Sequence, residues 1–99
     1  MQRTRYLVAY DIREDHRLRQ VHSIAMDFGY PLQYSVFICD LDEREKFAMR
    51  IALGNAIDHR VDSVVFVDLG EPGSRGIDCF EFMGEGSRDD LPHGGPVIL

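Results

Sequence analysis

Arg5-Tyr6-Leu7-Val8-Ala9-Tyr10-Asp11-Ile12 is the stretch whose reading decides the fold. Strand side chains alternate, so Tyr6, Val8, Tyr10 and Ile12 share one face and Leu7, Ala9 and Asp11 the other. Both faces are apolar until Asp11, the pattern of a central strand covered on two sides. The strand therefore ends on a carboxylate, which is costly to bury unless it is paired or bound to a cation. Two readings of Asp11 stand open. It is a strand-end aspartate paired with the neighbouring Arg13, or it is an oxygen ligand for Mg²⁺, which takes one or two carboxylates and keeps several waters. One aspartate is too few for a strong site, but a two-fold dimer would set a second Asp11 across its axis.

Outward from this strand, residues 14–28 predict a helix. Leu18, Val21, Ala25 and Phe28 form one apolar stripe, and Glu14 and Asp15 sit in the first turn, where the helix dipole favours acids. Gly29 stands in the C-cap position and Pro31 prevents continuation. Residues 33–40 read as a second strand, Tyr34, Val36 and Ile38 opposing Ser35, Phe37 and Cys39. Asp40 or Asp42 caps a second helix over 43–57, whose apolar positions fall on two overlapping faces and which Gly54 weakens by about 1 kcal/mol relative to alanine. Residues 62–69 predict a third strand, 70–76 a Gly/Pro loop and 77–83 a fourth strand. Residues 84–96 are polar and rich in Gly and Asp before the apolar ending Val97-Ile98-Leu99. This divides the chain into a domain over 1–84 and a tail over 85–99. The expected class is α+β, ferredoxin-like, with two helices on one face of an antiparallel sheet. That arrangement needs a further strand between the second strand and the second helix, supplied by a 33–41 hairpin arm or by 77–83. The apolar ending is either a disordered terminus or a strand added to a sheet edge, its own or a partner's.

The 99 residues make one domain of ordinary soluble composition, 44% hydrophobic and 28% charged. No apolar run approaches the roughly 20 residues of a membrane helix, and the N-terminus lacks a signal peptide, so the expectation is a cytoplasmic protein with no membrane partner. Cys39 and Cys79 have no CxxC spacing, and His16, His22, His59 and His93 are scattered, which argues against zinc. The net charge is −6. Residues 1–20 nevertheless hold five arginines against three acids, and 21–99 six basic residues against fourteen acids. Basic charge gathers near Asp11, where a local patch can bind phosphate in a salt-sensitive way. Arg17 and Arg19 are either a solvated helix face or phosphate clamps. Ser35 can donate to a carboxylate or a metal-bound water. Tyr10 and Phe37 are core residues or base-stacking platforms. No Ser/His/Asp or Cys/His arrangement and no phosphate-binding glycine loop is present.

Tyr10-Asp11-Ile12, then Glu14-Asp15-His16-Arg17-Leu18-Arg19-Gln20-Val21, then Gly29 and Gln33-Tyr34-Ser35-Val36-Phe37 together resemble CRISPR-associated protein two, the small subunit of the CRISPR adaptation complex. The strands at 63–69 and 77–83 fit the same pattern, so the resemblance covers about residues 5–83. It implies a ferredoxin-like homodimer in which the last strand of each protomer joins the other's sheet. It also implies that Asp11 is the metal ligand, one from each protomer, with Mg²⁺ as cofactor. Some members are described as Mg²⁺-dependent endonucleases on single-stranded RNA or duplex DNA, and members bridge dimers of the integrase subunit when new spacers are inserted. On that basis the catalytic set is Asp11, Arg17, Arg19 and Ser35, the arginines meeting phosphate charge and Ser35 orienting Asp11 or a water. The other readings are a non-catalytic dimeric scaffold of the same complex and, further off, a toxin-like ribonuclease or a plain interaction module.

Overall fold

The computed structural model describes residues 2–86 and 91–92. Its elements run β1 (Thr4–Asp11), α1 (Asp15–Phe28), β2 (Tyr30–Gln33), β3 (Val36–Leu41), α2 (Glu43–Ala56), β4 (Ser63–Gly70) and a short α3 (Arg75–Asp78). The four strands form one sheet in the order β2-β3-β1-β4, antiparallel at every pairing. This is the ferredoxin-like β-α-β-β-α-β order, with β1 central as its two apolar faces require.

The strand that the sequence reading lacked is β2. It begins directly after α1 and turns into β3 through Tyr34-Ser35, with Gln33 paired to Val36. Its Pro31 is tolerated because β2 is an edge strand, where a missing N–H breaks no inner ladder. Gly29 does cap α1, donating its N–H to Ala25 at 2.9 Å, but with an extended backbone rather than a left-handed one. Glycine is needed here for space. A Cβ would meet the Ile38 carbonyl oxygen at 2.4 Å and Cys39 Sγ at 2.5 Å, so only a bare backbone lets the end of α1 run this close to β3.

Helix starts follow side-chain capping. Glu14 lies just outside α1 rather than in its first turn, and accepts from the N–H groups of His16 and Arg17 at 2.8 and 2.9 Å. Asp42, not Asp40, caps α2 in a reciprocal capping box with Glu45. Val21 and Ala25 of α1 and Met49 and Leu53 of α2 pack on Val8, Tyr10, Phe37, Cys39 and Leu41. Of the two apolar faces on α2, only that of Met49 and Leu53 enters the core; Phe47 and Ile51 are exposed. Burial, and then the neighbouring Asp40, push the Cys39 thiol up to about 12, so it is an inert core group.

The 77–83 segment is not a strand in a single chain, contrary to the sequence expectation. Residues 75–78 form α3, and 79–83 carry no ladder. A strand persists only when paired, and here it is the residues on either side of the segment that are held. Arg5 on β1 is fully buried and donates to both Asp40 carboxylate oxygens (2.7 and 2.9 Å), to Gly76 O (2.9 Å) and to Pro92 O (2.5 Å). The chain after β4 thus folds back onto Arg5. Gly76 fits there because a Cβ would lie 2.8 Å from Glu71 O and 3.0 Å from Arg5 Cδ. The ending at 97–99, with its expected strand addition, lies outside the described residues. Among the described residues, no helix is long and apolar enough to cross a membrane.

Candidate functional site

Strand alternation puts Tyr10 and Asp11, adjacent in sequence, on opposite sides of the sheet. Asp11 belongs to the helix-free side with Leu7 and Ala9. Ala9 pairs with Val36 and Val65, and Leu7 with Ile38 and Val67, so these side chains form one apolar band. Val65 and Val67 are exposed. The Arg5 end of this face lies under the segment after β4, and the Asp11 end is open. Asp11 pairs with Ser63 of β4 and is 69% exposed. Among the described residues its one ion pair is a loose contact with Arg13, at 3.8 Å. At that separation and exposure the pair contributes little, so the carboxylate is available to a cation.

Among the described residues, no three His, Cys, Asp or Glu side chains gather into a metal-binding group. Asp11 offers one hard oxygen donor group. A hard oxygen donor of this kind suits Mg²⁺, which accepts few carboxylates and fills the remainder with water, and a second carboxylate would have to come from outside this chain's group.

The other residues singled out in the sequence do not converge on Asp11. Arg17 turns its guanidinium to Asp62, Nε to Oδ2 at 2.7 Å and NH2 to Oδ1 at 3.2 Å. The Asp62 side chain is 0% exposed, and it also accepts from the N–H groups of Arg13 (2.9 Å) and Asp58 (2.8 Å). Four donors thus satisfy a buried carboxylate and tie the end of β1, the start of α1 and the loop before β4 into one knot. Hydrogen bonding from Arg17 holds the Asp62 carboxyl far below the usual carboxylate range, against the opposing effect of burial. Sequence reasoning missed Asp62, because nothing in its local pattern separates it from a solvated loop acid; its partner lies 45 residues away.

Ser35 adjoins Tyr10 rather than Asp11, its carbonyl accepting the Tyr10 N–H at 3.1 Å. It holds φ at 60°, the left-handed conformation that the tight turn from β2 to β3 requires and that L residues rarely adopt. On this helix-covered side lies a cleft of about 410 Å³ lined by Tyr10, Leu18, Arg19, His22, Tyr34 and Ser35. Tyr10 Oη and His22 Nδ1 are 3.1 Å apart, and the His22 ring meets Phe37 edge-on with centroids 5.5 Å apart. Burial pushes the Tyr10 phenol up, partly offset by hydrogen bonding to Ser35. Arg19 is exposed and makes no hydrogen bond or ion pair among the described residues. The sheet end therefore offers two surfaces, a carboxylate on the open face and a cleft of tyrosines, histidine and arginine behind it.

Known proteins resemble this chain in sequence and in fold. The model of the family described as CRISPR associated protein Cas2 matches residues 4–75. A Rhodospirillum rubrum protein named CRISPR-associated endoribonuclease Cas2 1 is 43% identical over 65 residues, which are 66% of this chain and 64% of that protein. The chain thus spans just under two thirds of that relative. A Chlorobaculum tepidum protein named CRISPR-associated endoribonuclease Cas2 is 33% identical over 98 residues, 94% of this chain and 97% of the relative. Among solved structures, Streptococcus pyogenes Cas2 at pH 6.5 superimposes with a TM-score of 0.71 at 30% identity, covering 81% of this chain and 99% of that one. A hypothetical protein from Thermus thermophilus superimposes with a TM-score of 0.73 at 29% identity, covering 86% and 95%.

Proposed function

This chain belongs to the CRISPR associated protein Cas2 family, and from that premise we propose that it is a homodimeric, Mg²⁺-dependent endonuclease of CRISPR immunity. Its substrate is single-stranded RNA or duplex DNA, and it works in spacer acquisition beside the integrase subunit, in the cytoplasm. Two relatives carry the name endoribonuclease, which supports the nuclease reading. The observation that carries it in this chain is Asp11, a carboxylate presented at an open strand end with only a 3.8 Å contact to Arg13.

Asp11 from each of two copies would hold the ion. When bound, Mg²⁺ supplies a Lewis acid for a phosphoryl oxygen and lowers the pKa of a water. Arg19, exposed and unpaired among the described residues, would meet phosphate charge. Arg17 would act by holding Asp62 and so the start of α1, as a positioning residue. Ser35 would act through Tyr10, whose N–H it binds. The open apolar band of Leu7, Ala9, Val65 and Val67 is the surface on which a second copy would sit, and the segment after β4 could then join that copy's sheet.

The test is cleavage of labelled single-stranded RNA and duplex DNA, with and without Mg²⁺, by wild type and Asp11→Ala purified side by side. Metal-dependent cleavage that falls to the metal-free background in Asp11→Ala is the expected result. A second reading, a non-catalytic dimeric scaffold, draws support from the net charge of −6 and the single carboxylate per chain. Cleavage absent from wild type, or equal in both proteins, selects the scaffold.

A further inference from the structure

The cleft behind Asp11 has the chemistry of a nucleotide site. Its volume of about 410 Å³ lies in the range of roughly 300–1,000 Å³ typical of small-ligand pockets. Tyr34 lines it while remaining 86% exposed, so an aromatic π-face is left to solvent at the tip of the β2–β3 turn. The turn that presents Tyr34 is closed by Ser35 in its left-handed conformation and tied back to Tyr10 by the 3.1 Å hydrogen bond. Deeper in, Tyr10 Oη and His22 Nδ1 bond each other, and Phe37 packs against the His22 ring. That wall is mainly apolar, its polar atoms few and the Tyr10–His22 pair already bonded to each other. Arg19 stands on the lining as a cation with no partner among the described residues.

An exposed aromatic face beside an unpaired arginine matches a nucleotide, whose base stacks and whose phosphate carries charge. The charge pattern agrees, since this acidic protein concentrates its arginines in residues 1–20. An acyl chain would leave the Arg19 charge unanswered. A base inside a duplex cannot offer its π-face, because it is stacked on both sides.

We propose that the cleft of Tyr10, Leu18, Arg19, His22, Tyr34 and Ser35 takes one unstacked nucleobase of a single-stranded nucleic acid, stacked on Tyr34, with an adjoining phosphate on Arg19. This rests on the nucleic-acid reading above and deepens it, because the pocket selects single strands over duplexes.

Binding is measured by fluorescence anisotropy on the full chain in EDTA. The probes are a fluorescein-labelled oligouridylate and an oligomer of equal length and charge that is abasic throughout. Wild type is expected to bind the oligouridylate roughly 10-fold or more tightly than the abasic strand. Tyr34→Ala should erase that gap and Tyr34→Phe should keep it. Arg19→Ala should weaken both strands alike and reduce the salt slope by about 0.7. At 86% exposure Tyr34 is outside the core, so its truncation leaves the fold intact, which circular dichroism verifies. Equal binding of the two strands by wild type overturns the proposal, and so does a gap that survives in Tyr34→Ala. No metal is present, so a failure of cleavage at Asp11 leaves this result standing, and equal binding here leaves cleavage untouched.

Discussion

Arg17 and Arg19 lie two positions apart on α1 and have different partners. Arg17 neutralises the buried Asp62, whereas Arg19 faces the cleft. Removing Arg17 leaves a buried carboxylate without its cation, one of the few changes that destabilise strongly. Arg17→Ala should therefore lower the thermal midpoint and lose nucleic-acid binding with it. Arg19→Ala should keep the midpoint within about 3 °C, as expected for a surface change in a domain of this size, while binding weakens. Thermal unfolding followed beside binding separates the two, and equal midpoints for both variants would refute the distinction. The same knot sets the acid limit of the fold. The Arg60 side chain holds Asp58 down to about 2, and Arg17 holds Asp62 well below its ordinary value. Both folded values lie under the ordinary value of about 3.9, so this stability is fully present above roughly pH 4 and is lost as pH falls toward 2. Thermal midpoints measured from pH 6 to pH 2 should drop most steeply in that window, and Asp62→Asn should show a shallower drop.

At the scale of elements, α2 carries an avoidable weakness. A Cβ at Gly54 would meet nothing within 4 Å, and the backbone there is ordinary helix. Gly54→Ala should raise stability by roughly 0.5–1 kcal/mol, a gain of several degrees in thermal midpoint. A midpoint unchanged or lowered in calorimetry would contradict the open space around this position. Elements with a long repeat were legible in the sequence. The stripe of Leu18, Val21, Ala25 and Phe28 and the alternation of β1 carry many positions each, so α1 and β1 end within a residue or two of their expected limits. β2 escaped because four residues containing Pro31 hold too little pattern, and its existence depends on pairing with β3. The expected strand at 77–83 failed for the complementary reason. Its apolar residues suit a strand, but among the described residues it pairs with no strand, and Arg5 instead holds Gly76 and Pro92 on either side of it.

Among the described residues, the molecule is a sheet covered by helices on one side and partly open on the other. Val65 and Val67 are exposed on that open side next to Ala9 and Leu7. This apolar band, running from central β1 to edge strand β4, is where the proposed second copy would sit. Light scattering on the eluting protein should give twice the 11.3 kDa chain mass, and the double variant Val65→Asp, Val67→Asp should elute as the single chain. A wild-type monomer would remove the shared Asp11 site and with it the proposed metal chemistry.

By itself the sequence determined the ferredoxin-like class, the central place of β1, the extent of α1 and the emergence of Asp11 at a strand end. These follow from periodicity and local capping, which act over a few residues and are written in consecutive positions. Only the tertiary structure decided that Arg17 belongs to Asp62, that Ser35 serves Tyr10 rather than Asp11, and that Arg5 is buried under the chain after β4. Those outcomes join residues 25 to 87 positions apart. A buried charge takes whichever partner the packed fold brings within reach, and no local pattern encodes that distance.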